Sequence, residues 1–144
     1  LRLEALRQSP QSFLGSYQEE AGYAEDDWRK TFEDASWHGF FIAGANPDAL
    51  NAAGIAKSRV LSQYPGERYI ESFWVRPRYR RRQVASRMLN SIIGEARDEG
   101  RRVIRLSVLR INTEAISAFR GMGLVAEVPA RSSEFEICLE LRID

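Results

Sequence analysis

The clearest pattern in the chain lies between residues 84 and 96. Val84, Met88, Leu89, Ile92, Ile93 and Ala96 recur there at the 3.6-residue spacing of an amphipathic helix, and Gly100 sits where a C-terminal cap belongs. After it, residues 103–109 read as a strand, 113–122 as a helix capped by Gly123, and 124–128 as a short strand. Phe135, Ile137, Leu139 and Leu141 alternate with Glu134, Glu136, Cys138 and Glu140, which predicts a strand with one solvent-facing side.

The first half is patterned differently. Leu1, Leu3 and Leu6 predict a helix over 1–7 that Ser9-Pro10 stops. A second helical piece carries Phe13, Leu14 and Tyr17 on one side. A third opens on Glu25-Asp26-Asp27, as the helix dipole prefers, and turns Trp28, Phe32 and Ala35 to the core. From Gly39 the period shortens, giving strands at 40–43, 54–61 and 68–75, with Asn46-Pro47-Asp48 and Gln63-Tyr64-Pro65-Gly66 between them. These three suit an antiparallel meander. The strand–helix–strand order between 68 and 109 predicts a right-handed parallel crossover. The expected architecture is one α/β domain over residues 1–144, and because the sequence starts at a helix it reads as a trimmed chain whose first strand lies upstream of residue 1.

With 44% hydrophobic and 28% charged residues, the composition is that of an ordinary globular protein and excludes collagen-like, coiled-coil and disordered classes. No apolar run reaches the length of a membrane span, and no leader pattern is seen, so a cytoplasmic protein without a membrane partner is expected. Cys138 is the single cysteine and His38 the single histidine, so no His/Cys metal cluster is expected. His38 reads as a surface or structural residue and Cys138 as a bystander thiol. A net charge of +1 predicts no nucleic-acid partner.

The distribution of that charge changes the picture. Arg76, Arg78, Arg80, Arg81 and Arg82 crowd the turn between the strand ending at Val75 and the helix beginning near Gln83. A helix N-terminus has unsatisfied N–H groups and partial positive charge, so it binds phosphate readily, and added arginines strengthen such a site. A solvated basic loop and a nucleic-acid backbone patch are the competing readings.

The segment Trp74-Val75-Arg76-Pro77-Arg78-Tyr79-Arg80-Arg81-Arg82-Gln83-Val84-Ala85 resembles motif A of the GNAT superfamily of acyl-CoA-dependent N-acyltransferases. Residues 112–124, from Asn112-Thr113-Glu114-Ala115 through Phe119 to Gly123-Leu124, resemble that family's Asn-x-x-Ala-x-x-x-Tyr-x-x-x-Gly-Phe segment. Ser9-Pro10-Gln11-Ser12-Phe13 and Asp27-Trp28 resemble the first helices of one GNAT subgroup. The resemblance implies a mixed, mostly antiparallel sheet with a central parallel pair of strands that splay apart, flanked by helices. It implies acetyl-CoA as acyl donor and transfer to a primary amine, of a small molecule or a peptide, by direct attack in a ternary complex.

Carried onto this sequence, the resemblance implies that the backbone of Phe73, Trp74 and Val75 pairs with the pantetheine arm. The N–H groups of Arg81, Arg82, Gln83, Val84 and Ala85 would cradle the pyrophosphate, with charge added by Arg80 and Arg82. Asn112 and Phe119 would line the wedge. Three positions depart from the family pattern: Arg81 and Gln83 stand where glycine is usual, and Phe119 stands where a tyrosine usually protonates the thiolate. Glycine at such a turn admits a close approach or a positive φ. If position 83 needs either, glutamine there lowers cofactor affinity.

A base must also take the amine proton. Glu71 is the candidate, a carboxylate whose alternation partners Tyr69 and Phe73 would surround it with rings. A cross-strand ion pair is the alternative reading of Glu71, and Tyr69 is a second candidate. Glu134, Glu136 and Glu140 read as a solvated face or as an acidic wall for an amine. A degenerate fold that binds CoA or a partner without turnover, and a nucleic-acid-binding domain built on the Arg76–Arg82 cluster, remain as alternatives. The last strands offer a route to a homodimer.

Overall fold

The computed structural model describes residues 1–10, 16–33, 35–41 and 52–144. Three short helices, α1 (Arg2–Gln8), α2 (Tyr17–Glu20) and α3 (Glu25–Lys30), precede three strands, β1 (Ser36–Phe41), β2 (Ala52–Arg59) and β3 (Glu67–Val75). A 3₁₀ turn at Pro77–Tyr79 leads into α4 (Val84–Asp98), followed by β4 (Val103–Leu109), α5 (Thr113–Gly121), the two-residue β5 (Ala126–Glu127) and β6 (Glu136–Arg142). Among the described residues the sheet has six strands, in the order β1-β2-β3-β4-β6-β5. Every neighbouring pair is antiparallel except β3 and β4. The expected meander and the expected parallel crossover are both present, and the fold is the mixed α/β arrangement that the sequence implied.

The differences from the sequence expectation have local causes. Phe13 and Leu14 fall outside the described residues, as do Ile42, Ala43 and the Asn46-Pro47-Asp48 turn. Phe32 is 60% exposed, because α3 ends at Lys30 and carries Phe32 into a turn instead of onto the core. Phe135 is 70% exposed because β6 begins one residue later, after the Ser133 hydroxyl accepts from the N–H groups of Phe135 and Glu136. The expected strand over 124–128 shrinks to Ala126–Glu127. Cys138 is buried rather than on a solvated face. Its side of the sheet is closed by burial that pushes the thiol pKa up.

Helix α4 is the central packing element. Val84, Met88, Leu89, Ile92, Ile93 and Ala96 are buried against Ala56, Ile70, Ile104, Leu106 and Val108 of the sheet. Each large apolar side chain removed from water contributes about 1.5–3 kcal/mol. Gly54 on β2 lets the helix come close: a Cβ there would lie 2.6 Å from Met88 Sδ and 2.9 Å from the Trp74 carbonyl oxygen. At the other end, the buried Arg68 of β3 reaches Glu95 of α4 and Glu99, the residue that caps its C-terminus, at 2.8 Å each, and Ser58 Oγ at 3.0 Å. Removing either carboxylate would leave the buried Arg68 guanidinium short of a partner, although Glu95 and Glu99 themselves keep about a third of their surface exposed.

Helix α1 docks on the opposite side of the sheet. Ala5 and Leu6 pack with Trp74, whose indole N–H donates to Ser9 Oγ at 3.2 Å. Arg76 forms a forked pair with Glu4, at 3.0 and 2.6 Å. That hydrogen bond, against some opposing burial, holds the Glu4 carboxyl below its usual pKa. A carboxylate with a depressed folded-state pKa stabilises the fold fully above its unfolded pKa, and the contribution fades as pH falls through the folded value. Glu4→Gln is therefore expected to lower the melting temperature at neutral pH and to have progressively less effect in acid below the ordinary glutamate range. Thermal melts across that range check it; an effect independent of pH would contradict the pairing.

Candidate functional site

The parallel ladder between β3 and β4 is short. It pairs Glu67 with Val103 through Ile70 with Leu106 and ends there. Beyond that point β4 continues beside β6 and β3 continues beside β2, so the two strands part. The cause lies in β3 itself. Lys57 is opposite Ser72 while Ser58 is opposite Ile70, which leaves Glu71 as one extra residue. Such a bulge bends its strand and reverses the faces that follow.

The bulge corrects the alternation expected for Glu71. Phe73 no longer shares a face with Tyr69: its ring packs edge-on against Phe119 of α5, centroids 5.3 Å apart, on the α4 side. Glu71 is not ringed by aromatics. Lys57 Nζ lies 3.1 Å from its Oε2, and Arg59 meets its Oε1. The cross-strand ion pair is the reading that this geometry matches.

Where the strands part, a cleft of about 450 Å³ opens. Its floor is Ile70, Leu106 and Val108, and Phe73, Asn112, Ala115 and Phe119 form one wall. On the other side stand Arg2, Tyr23, Trp28, Lys57, Tyr69 and Glu136. Trp28 thus lines the cleft, stacked edge-on to Tyr23 at 5.2 Å, where the sequence suggested a core residue. Asn112 Oδ1 accepts from Ala115 N at 3.3 Å and caps α5. Tyr69 is kept protonated: burial pushes its pKa up, against a hydrogen bond with Ser107.

The backbone of β3 offers polar groups to this opening. Arg76 N–H donates to Ala53 O at 2.8 Å, so residue 76 faces β2. Strand alternation then turns the N–H and C=O of Val75 and Phe73 to the wedge, while those of Trp74 face β2. Trp74, with its ring beneath α1, therefore presents neither backbone nor side chain to the opening.

The arginine-rich turn divides into engaged and exposed members. Arg76 is buried on Glu4. Arg80 Nε donates to Val75 O at 3.0 Å, closing the turn. Arg78 lies over the Tyr79 ring at 4.9 Å. Arg81 and Arg82 are exposed. At the start of α4, Gln83 makes no side-chain cap and the first turn holds no acidic residue, so its N–H groups and dipole face outward. Val84 points into the core and Ala85 packs on it, leaving only their backbone for a ligand.

Arg81 and Gln83 adopt φ of 59° and 61°, the left-handed region. These are the two positions where glycine was expected, and the glycine-like backbone is kept without the glycine. The turn is legible in the sequence but the bulge is not, because no glycine or proline marks Glu71. Lys57 and Arg59 carry no sequence signal either, since they become cleft residues only through pairing across the bulge.

Residues 3–124 match the model of the acetyltransferase (GNAT) family. No curated protein matches the chain in sequence. Among solved structures, it is similar to the ribosomal-protein-S18-alanine N-acetyltransferase of Escherichia coli, with TM-score 0.65 and 18% identity over 99% of this chain and 88% of that one. It is also similar to the GNAT domain of S. lividans PAT, with TM-score 0.67 and 20% identity over 84% and 70% of the two chains. A Bacillus subtilis acetyltransferase in complex with CoA gives TM-score 0.61 and 10% identity over 84% and 85%. At these identities the likeness is one of fold.

A side chain in the left-handed region costs about 1–2 kcal/mol. Glycine relieves that cost and gives back about 0.4–1 kcal/mol through the unfolded chain. Gln83→Gly is thus expected to raise the melting temperature by about 2 °C, with Gln83→Ala giving no gain. A thermal melt in which glycine destabilises would contradict the turn geometry.

Proposed function

The chain belongs to the acetyltransferase (GNAT) family, and from that premise we propose that it transfers an acetyl group from acetyl-CoA to a primary amine, by direct attack in a ternary complex. The observation that carries the reading is the parting of β3 from β4 after Ile70 and Leu106, in line with an uncapped helix N-terminus. A pantetheine arm needs a row of backbone donors and acceptors beside an apolar wall, and a pyrophosphate needs clustered N–H groups and positive charge. The wedge supplies the first in Phe73, Val75 and Phe119. The turn supplies the second in the N–H groups of residues 81–85 and the side chains of Arg81 and Arg82.

The residues therefore fit the donor. Phe73 and Val75 would hold the arm through their wedge-facing N–H and C=O, and Arg80 would leave Val75 O as the arm takes its place. Backbone N–H groups at the Glu71 bulge would polarise the thioester carbonyl. The thioester supplies the activated acyl carbon. Phe119 carries no hydroxyl, so in this chain the thiolate would take its proton from water, which a weakly basic leaving group permits. Glu71, the carboxylate that the sequence offers for the amine proton, lines the cleft but has both oxygens held by Lys57 and Arg59, so its charge is already compensated.

The nucleic-acid reading is weaker. Of the five clustered arginines, Arg76 is spent on Glu4 and Arg80 has its Nε on Val75 O. The remaining positive charge is concentrated at a single helix end.

Calorimetric titration with acetyl-CoA, using ATP as a control, tests the proposal. Saturable binding of acetyl-CoA well ahead of ATP is expected, followed by amine-dependent release of free thiol. Charge-assisted hydrogen bonds contribute about 1.5–3 kcal/mol, so Arg82→Glu is expected to weaken acetyl-CoA binding by at least about tenfold. Absence of binding at millimolar acetyl-CoA would overturn the transferase reading.

A further inference from the structure

Three carboxylates line the cleft: Glu20, Glu71 and Glu136. Two of them are compensated. Arg2 forks onto both oxygens of Glu20 at 2.9 and 2.7 Å. Lys57 and Arg59 take the two oxygens of Glu71. Glu136 differs. Among the described residues its carboxylate meets no cation and no hydrogen-bond donor; its backbone N–H donates to Ser133 Oγ and its carbonyl accepts from Ser133 N–H.

Its position is equally particular. Glu136 opens β6 opposite Leu109, the last residue of β4, just beyond the point where the wedge has opened. It is half-buried, and its charge bears on the Tyr69 hydroxyl within the cleft. The other strand glutamate on that side, Glu140, is taken by Arg105 at 2.9 Å and Arg142 at 3.2 Å. A half-buried carboxylate without a partner gains most from an incoming cation, since little water screens the pair. The rings of Tyr23 and Trp28 form part of the same lining and suit the carbon body of an amine.

Resting on the acetyl-transfer reading above, we propose that Glu136 is the residue that receives the acceptor's ammonium group and then its proton. The ammonium gives one proton to the Glu136 carboxylate. The freed nitrogen lone pair forms the C–N bond to the thioester carbonyl carbon. The C–S bond breaks with its electron pair going to sulfur, and the nitrogen's second proton is lost as the thiolate gains one. Glu136 returns its proton to solvent, so each turnover yields an amide, a thiol and one proton.

Phenethylamine is the probe, an ammonium on a body sized for an aromatic wall. Calorimetric titration of phenethylamine into the whole protein, and CoA release from acetyl-CoA with phenethylamine as acceptor, are measured for the native chain, Glu136→Gln and Glu71→Gln. Acetyl-CoA affinity and the melting temperature are recorded for each. Glu136→Gln is expected to weaken phenethylamine binding at least about tenfold and to slow transfer about 100-fold or more, the usual loss with a general base. Acetyl-CoA affinity and folding should not change. Native phenethylamine affinity and rate in Glu136→Gln would overturn the proposal, as would a loss confined to Glu71→Gln or a native chain that binds acetyl-CoA but no phenethylamine. A native chain that binds no acetyl-CoA would instead sink the transferase reading on which the proposal rests.

Discussion

The organisation of this molecule depends on one residue too many in β3. With Glu71 unpaired against β2, the strand cannot stay in register with β2 and remain parallel to β4, and its ladder with β4 stops one residue earlier. A sheet that continued its pairing would have no cleft, since its central strands would spend their backbone groups on each other. Here β3 keeps its partner on one side and presents open polar groups on the other. The same bulge turns Phe73 toward Phe119, giving the opening an apolar wall, and leaves Glu71 to be clamped by Lys57 and Arg59.

The second requirement is that a helix begin where the wedge leads. Helix α4 is held at both ends of its length. Close packing of Met88 over Gly54 fixes its first half, and the Arg68 contacts with Glu95 and Glu99 fix its second. Between strand and helix the chain must turn sharply, and it does so through left-handed residues at 81 and 83. Arginine and glutamine there cost conformational energy that glycine would not. In exchange, the arginine at 81 adds exposed charge beside the uncapped N-terminus. The end of the molecule where α4 begins is thus strained and cationic, while the core behind it is apolar and well packed.

Much of this was legible in the residues. The period of Val84 to Ala96 defined α4 because six apolar side chains on one face leave little room for another structure. The motif likeness at 74–85 and 112–124 located the wedge and its turn. What escaped the sequence were features made by pairing. No side chain announces the bulge at Glu71, so alternation put Phe73 on the wrong face. Arg76 looked like one of five equivalent cations until α1 brought Glu4 against it. Phe32 continues the apolar period of α3 in the sequence, but the helix ends at Lys30 and the period has no meaning beyond it. In the sequence Glu136 looks like Glu134 and Glu140; in the structure Glu134 is exposed ahead of β6 and Glu140 is paired with Arg105 and Arg142, which leaves Glu136 as the half-buried one of the three without a cation among the described residues.

The wedge itself can be observed without any acceptor. Amide hydrogen exchange at Phe73 and Val75 reports whether the β4-facing side of β3 is open, since an N–H bonded in a ladder exchanges slowly. The account predicts fast exchange at both amides in the free protein, slow exchange at Trp74, and protection of Phe73 and Val75 on adding acetyl-CoA. Slow exchange at Phe73 and Val75 in the free protein would mean that β3 and β4 are zipped together and that no wedge exists.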